Sequence, residues 1–269
     1  MPLRLPAPLV PPTPGPAAGP GPVVLFLPAH DEEATVASVV GRVPELVLGR
    51  RVECLVVDDG SSDRTAELAA GAGAVVLGSG ANRGLGAAVR TGLAAAVRRG
   101  AAAVAFCDAD GEYDPRELDR LVAPILEGRA DYVVGSRFAG EIRRMLPHRR
   151  VGNRLLTRLL GWVARAPISD GQSGYRALSW TAADAEVVHD YNYAQVLTLD
   201  LLAKGYRYLE VPIGYRWRTV GRSFVRPAAY LRWVVPAVWR ELNAAPARAE
   251  PAAVGPYLHD RRADAPGVR

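Results

Sequence analysis

The chain alternates between two kinds of segment. VVLFLPA (23–29), VECLVV (52–57), AVVLGS (74–79), AAAVAF (101–106) and DYVVGS (131–136) are short and apolar almost throughout. Such runs read as strands buried on both faces, the condition of a parallel sheet. Between them lie EEATVASVVGRV, SSDRTAELAAGAG, GLGAAVRTGLAAAVRRG and DPRELDRLVAPILEG, all with helical spacing. Strand and helix in turn predict an α/β fold, a mostly parallel sheet covered by helices on both faces. Ligands of such sheets bind beyond the carboxyl ends of the strands.

Those ends carry acids. His30, Asp31 and Glu32 follow the first strand, Asp58 and Asp59 the second, and Asp108 and Asp110 the fourth, with Glu112 and Asp114 just beyond. Asp63 and Asp114 read as helix caps. Carboxylates crowded at successive strand tips would repel one another, and a hard divalent cation relieves that repulsion through oxygen ligands. Mg2+ or Mn2+ is usually held by one or two carboxylates together with substrate phosphates and water. The pattern points to a metal with a diphosphate, other acids being left to read a base or a ribose.

Composition narrows the context. The formal net charge is +5, from 33 Lys+Arg against 28 Asp+Glu, and Lys204 is the single lysine. Ala, Gly and Pro are abundant too, so the arginine excess reads as codon bias and the placement of arginines matters more than their number. Cys54 and Cys107 sit inside apolar runs and read as buried thiols, and no Cys/His metal spacing occurs. No apolar run approaches the roughly 18–20 residues of a membrane span. The expected organisation is a disordered Pro/Gly-rich arm over 1–22, one catalytic domain over 23–224, an amphipathic helix over 225–242 and a disordered tail over 243–269. The cytoplasm is the expected compartment.

LPAHDEEATV, VVDDGSSDRT, NRGLGAAVRTG, DADGEYDP, VGSRF, DGQSGYRAL and GYRYLEVPIGYRWRTVGRS occur in that order. Together they resemble glycosyltransferase family 2, in particular its dolichyl- or polyprenyl-phosphate mannosyl- and glucosyltransferase branch. The resemblance implies a GT-A (Rossmann-like) fold, single domain, and inverting transfer from a nucleoside-diphosphate sugar. It implies a nucleotide-sugar pocket of Pro28, His30, Asp31, Glu32, Asp58, Asp59, Asn82, Arg83, Gly84, Asp108, Ala109 and Asp110. It implies a metal site at Asp108 and Asp110, and Glu112, where the lipid-phosphate branch often has Gln, is expected to add a ligand or an outer-shell charge. Arg137, Asp170 and Arg218 are the implied catalytic groups. Ser223 is the implied acceptor contact, and Arg149 and Arg150 join it from the reading of the basic stretch 145–160 as a lip for the acceptor.

The acceptor stays open. A hydroxyl acceptor needs a general base, for which Asp170 is the candidate. A lipid phosphate is already anionic, and Asp170 would then orient the sugar. In MLPHRRVGNRLLTRLL, Arg149, Arg150, Arg154 and Arg158 recur beside leucines, as in a solvated amphipathic helix or a basic lip for an anionic lipid head. The stripe within 226–242 fits a core helix or one lying in a membrane interface. The expected partners are a nucleoside-diphosphate sugar and a polyprenyl phosphate at an anionic membrane surface, with no nucleic acid. The alternatives are the same donor chemistry on a soluble or cell-wall hydroxyl, or a nucleotide-binding relative without turnover.

Overall fold

The computed structural model describes residues 20–142, 147–164, 166–185 and 193–216. The expected arm as far as residue 19, the helix over 225–242 and the tail over 243–269 lie outside the described residues.

Strand β1 (Val23–Ala29) shows why the apolar runs fold as they do. Val23, Leu25, Leu27 and Ala29 enter one core cluster, and Val24 and Phe26 enter the other. Side chains alternate across a strand, so a run buried on both faces must be apolar at every position. The chain continues through α1 (Val36–Val40), β2 (Leu46–Val47), β3 (Arg50–Asp58), α2 (Thr65–Gly71), β4 (Val75–Gly78), α3 (Leu85–Arg98) and β5 (Ala103–Phe106). A 3-10 turn (Pro115–Glu117) leads into α4 (Leu118–Leu126), followed by β6 (Tyr132–Ser136), α5 (Pro147–Ala164), β7 (Arg176–Ser179), α6 (Trp180–Ala183), α7 (Tyr193–Ala203) and β8 (Tyr208–Pro212).

The strands form one sheet in the order β2-β3-β1-β5-β7-β6-β8, with β4 on β3. β1 is parallel to β3 and β5, β3 to β4, and β6 to β8. β7 is antiparallel to both β5 and β6. β6 therefore points the same way as β5, so the ends of β1, β3, β5 and β6 share one edge. Residues of α1 and α4 pack into one cluster, and residues of α3, α6 and α7 into the other. Phe26 and Phe106 stack at 5.0 Å in the second cluster. Burial pushes the Cys54 thiol up to about 12 and Cys107 well above its ordinary value. Both therefore stay protonated at neutral pH.

Two local expectations change. The first helix is shorter than the sequence suggests. The Glu32 carbonyl accepts the N–H groups of both Thr35 and Val36, and the chain turns before Val36 opens the helix. The 114–128 segment begins as a 3-10 turn, capped by Asp114 accepting the Arg116 N–H at 3.2 Å. The strand expected over 131–136 is β6, and β7 lies between it and β5. Asp63 does serve the start of α2, accepting the Thr65 N–H at 2.9 Å. In α5, Arg150, Arg154, Leu155, Arg158 and Trp162 are exposed, while Thr157 and Leu160 turn inward. No helix among the described residues is long and apolar enough to cross a membrane.

A Cβ at Gly92 of α3 would stand 2.3 Å from the ring of Phe26, which is fully buried. That ring has no room to retreat. Gly92→Ala is expected to destabilise the fold by about 1–3 kcal/mol through overpacking, read as a lower midpoint in urea denaturation.

Candidate active site

The loops after β1 and β3 are joined by backbone-to-side-chain bonds. The Asp31 N–H donates to Ser61 Oγ at 3.0 Å, and the Ser62 N–H donates to Asp31 Oδ1 at 2.8 Å. The Glu32 N–H donates to Thr65 Oγ1 at 2.8 Å. Asp31 takes φ +52°, the left-handed region that Asp tolerates better than most residues. Asp58 Oδ1 accepts from both the N–H and the hydroxyl of Ser61.

Asp59 reaches further. It is 4% exposed, and its two oxygens accept the N–H groups of Arg83 and Gly84 at 2.8 and 2.7 Å. The expected ribose contact is thus first an anchor for the loop entering α3. Asn82 Nδ2 lies 3.0 Å from His30 Nε2. Pro28 is buried within β1, while Arg83 keeps its side chain exposed. One rim therefore gathers His30, Asp31, Glu32, Asp58, Asp59, Asn82, Arg83 and Gly84.

Past β5, Asp108 is half-buried, and Ala109 and Asp110 are buried. Gly111 turns the chain at φ +76°, which brings the Glu112 N–H onto Asp110 Oδ1 at 2.9 Å. The Glu112 carbonyl accepts the Arg216 N–H at 3.0 Å. The expected set of Asp108, Asp110 and Glu112 is not drawn into a cage. Among the described residues no group of three His, Cys, Asp or Glu is arranged to hold a metal ion. The Gly111 turn instead brings the Glu112 main chain onto Asp110 and fixes that carboxylate. Two carboxylates at a buried strand tip still suit a hard cation that takes its remaining ligands from phosphate and water.

Past β6, Arg137 meets Asp170 in a buried pair. Arg137 Nε donates to Asp170 Oδ2 at 2.7 Å, Nη2 to Oδ1 at 2.8 Å, and the Arg137 N–H to Oδ2 at 3.0 Å. The side chains are 7% and 0% exposed. Arg137 also lies 5.3 Å over the Tyr215 ring. Tyr113 bridges this pair to the Asp108 loop. Its hydroxyl accepts the Gly174 N–H at 2.8 Å, and its ring meets Tyr215 edge-on at 6.0 Å. A Cβ at Gly174 would stand 2.6 Å from Asp108 Oδ2, so the loop after Asp170 lies directly against Asp108.

The sequence motifs therefore fall into two groups, a rim on β1, β3 and α3 and a buried pair on β6 and the loop before β7, with the Asp108 loop between them. Arg150 sits on the exposed face of α5. The Arg149 side chain, Arg218 and Ser223 lie outside the described residues. Sequence reading quoted Ser61, Thr65, Tyr113 and Glu210 inside motifs without giving any of them a role. Glu210 accepts the N–H groups of Ser169 and Asp170.

A sheet with this order, bearing acidic loops at the ends of its parallel strands, fits a glycosyltransferase of the GT-A fold. Residues 24–182 match the model of glycosyl transferase family 2, and the chain belongs to that family. It is 35% identical over 202 residues to the low-salt glycan biosynthesis hexosyltransferase Agl6 of Haloferax volcanii, covering 72% of this chain and 48% of that one. It is 31% identical to the polyprenol monophosphomannose synthase of Mycolicibacterium smegmatis, covering 74% and 79%. A solved glucosyl-3-phosphoglycerate synthase of Mycobacterium tuberculosis, bound to Mn2+, UDP-glucose and glycerol 3-phosphate, aligns with a TM-score of 0.67 at 25% identity, covering 84% and 82%.

Removing one partner of a buried ion pair costs about 3–5 kcal/mol, because the other charge is left stranded. Asp170→Ala is expected to lower stability by that amount, and Arg137→Met combined with Asp170→Leu to recover most of it. Thermal denaturation of the two variants checks this.

Proposed function

We propose that this enzyme transfers a hexosyl group, with inversion, from a nucleoside-diphosphate sugar to a polyprenyl phosphate at the inner face of the cell membrane, using Mg2+ or Mn2+. The acceptor reading rests on one observation. Both Asp170 oxygens accept from Arg137, and the carboxylate has no exposure. A group so held is poorly placed to take a proton from an incoming hydroxyl, because a base must reach the proton it removes. A phosphate acceptor asks for no such step. Asp170 then acts by fixing Arg137 and the sugar-side loop.

In this reading His30, Asp31, Glu32, Asp58, Asp59, Asn82, Arg83 and Gly84 line the nucleoside, with buried Pro28 supporting them. Asp108, Ala109 and Asp110 face the diphosphate. Asp110 is pre-oriented by the Glu112 N–H, so little reorganisation is asked of it when the donor arrives. A bound divalent cation would balance the negative charge that grows on the departing nucleoside diphosphate. Arg149, Arg150, Arg218 and Ser223 are assigned to the acceptor side. The likeness to a polyprenol monophosphomannose synthase and the Mn2+ and UDP-glucose of the structural neighbour support these assignments.

Two measurements test the reading. Purified enzyme is given UDP-glucose or GDP-mannose with Mn2+, and either undecaprenyl phosphate or 3-phosphoglycerate. Transfer to undecaprenyl phosphate is expected, and transfer confined to 3-phosphoglycerate would refute the acceptor. Separately, excess EDTA is expected to stop turnover and added Mn2+ to restore it. Asp110→Asn should lower kcat by about 100-fold or more, the scale of losing one electrostatic stabiliser of the transition state. Full activity in EDTA would remove the metal from the mechanism.

A further inference from the structure

Glu210 lies on β8, in register with Val134 of β6. Its carboxylate is turned onto the loop that carries Asp170. Oε1 accepts the Ser169 N–H at 3.0 Å, the Asp170 N–H at 3.2 Å and the Tyr208 hydroxyl at 2.5 Å. Oε2 accepts the Ser169 N–H at 3.0 Å and also the Ser169 hydroxyl. Ser169 Oγ is in turn 2.6 Å from Ser136 Oγ, and Ser136 directly precedes Arg137. One carboxylate therefore touches the backbone of Asp170 and, through a single serine, the residue before Arg137.

We infer that Glu210 is a positioning residue for the transfer reaction, holding the main chain on both sides of the Arg137–Asp170 pair so that the pair faces the bound donor in one geometry. The inference rests on the proposed role of that pair in the reaction.

The chemistry favours this over a merely local bond. Two adjacent N–H groups aimed at one carboxylate make charge-assisted bonds, roughly twice as strong as neutral ones. The Arg137–Asp170 pair holds the Asp170 carboxylate at the end of β6, whereas Glu210 holds the main chain of Ser169 and Asp170. Glu210 is itself held in place, because β8 is parallel to β6 and anchored along its length. Burial, with Glu210 beside it, raises the Tyr208 phenol above its ordinary value, so it stays a donor at working pH. Groups of this kind act through others, and losing such a partner commonly costs 10–100-fold in activity at metal centres.

The test uses full-length enzyme, the Mn2+-dependent transfer assay and a donor titration by calorimetry. Glu210→Gln keeps the size and one acceptor oxygen but loses the charge and one set of bonds. It is expected to lower kcat about 10-fold, with the dissociation constant for UDP-glucose or GDP-mannose within twofold of the parent and the melting temperature nearly unchanged. Glu210→Ala should lower kcat further at the same donor affinity. A kcat within twofold of the parent in both variants overturns the proposal, as does a parallel loss of kcat and donor affinity. Asp170→Asn, assayed per folded molecule, separates the two claims. If it is fully active, the pair itself has no part in the reaction and the proposal falls with that reading. If it is inactive while the Glu210 variants are active, only the positioning role fails.

Discussion

The buried Arg137–Asp170 pair is the interaction on which the rest of the site depends. Arg137 leaves the end of β6 and Asp170 stands in the loop entering β7, so their bond ties together two neighbouring strands at the edge where the acidic loops lie. Burying such a pair does little for net stability, because desolvation offsets the attraction. Its contribution is geometric. A forked guanidinium on a carboxylate admits one arrangement, and the backbone N–H of Arg137 closes a third bond onto the same oxygen. Tyr113 and Tyr215 pack around it and pass that order to the Asp108 loop.

The opposite side of the site is organised by a different device. Asp31, Asp58 and Asp59 accept mainly from main-chain N–H groups and serine hydroxyls. Such bonds shape the loops after β1 and β3 through the main chain. One half of the edge is thus ordered by an arginine–carboxylate pair, and the other by bonds from main-chain N–H groups and serines.

Much of this was legible in the sequence because it is local. Strand burial writes itself as unbroken apolar runs, and acids at strand tips sit next to those runs. Asp59 was legible as a site residue but not as the anchor of Arg83 and Gly84, since that contact joins residues 24 and 25 positions apart. β7 was hidden for a physical reason. A strand beginning with arginine reads as surface, yet Arg176 is fully buried, its guanidinium donating to the carbonyls of Gly171, Ser173 and Ala194. Glu210 was hidden likewise, as an acid within a strand looks solvent-facing until the loop it holds is known.

The insertion of β7 between β5 and β6 carries a consequence for how the chain is completed during synthesis. β1 to β5 pair with one another, β7 being added later at the margin of β5, so their ladders can close as soon as β5 emerges. β6 emerges next but finds no neighbour. Both its hydrogen-bonding edges wait, one for β7 and one for β8. Until residue 212 has been made, this buried apolar strand keeps a bare edge, the kind of surface that recruits foreign strands. The half of the enzyme that carries its acids is therefore the early half, and the half that carries its ion pair is finished last.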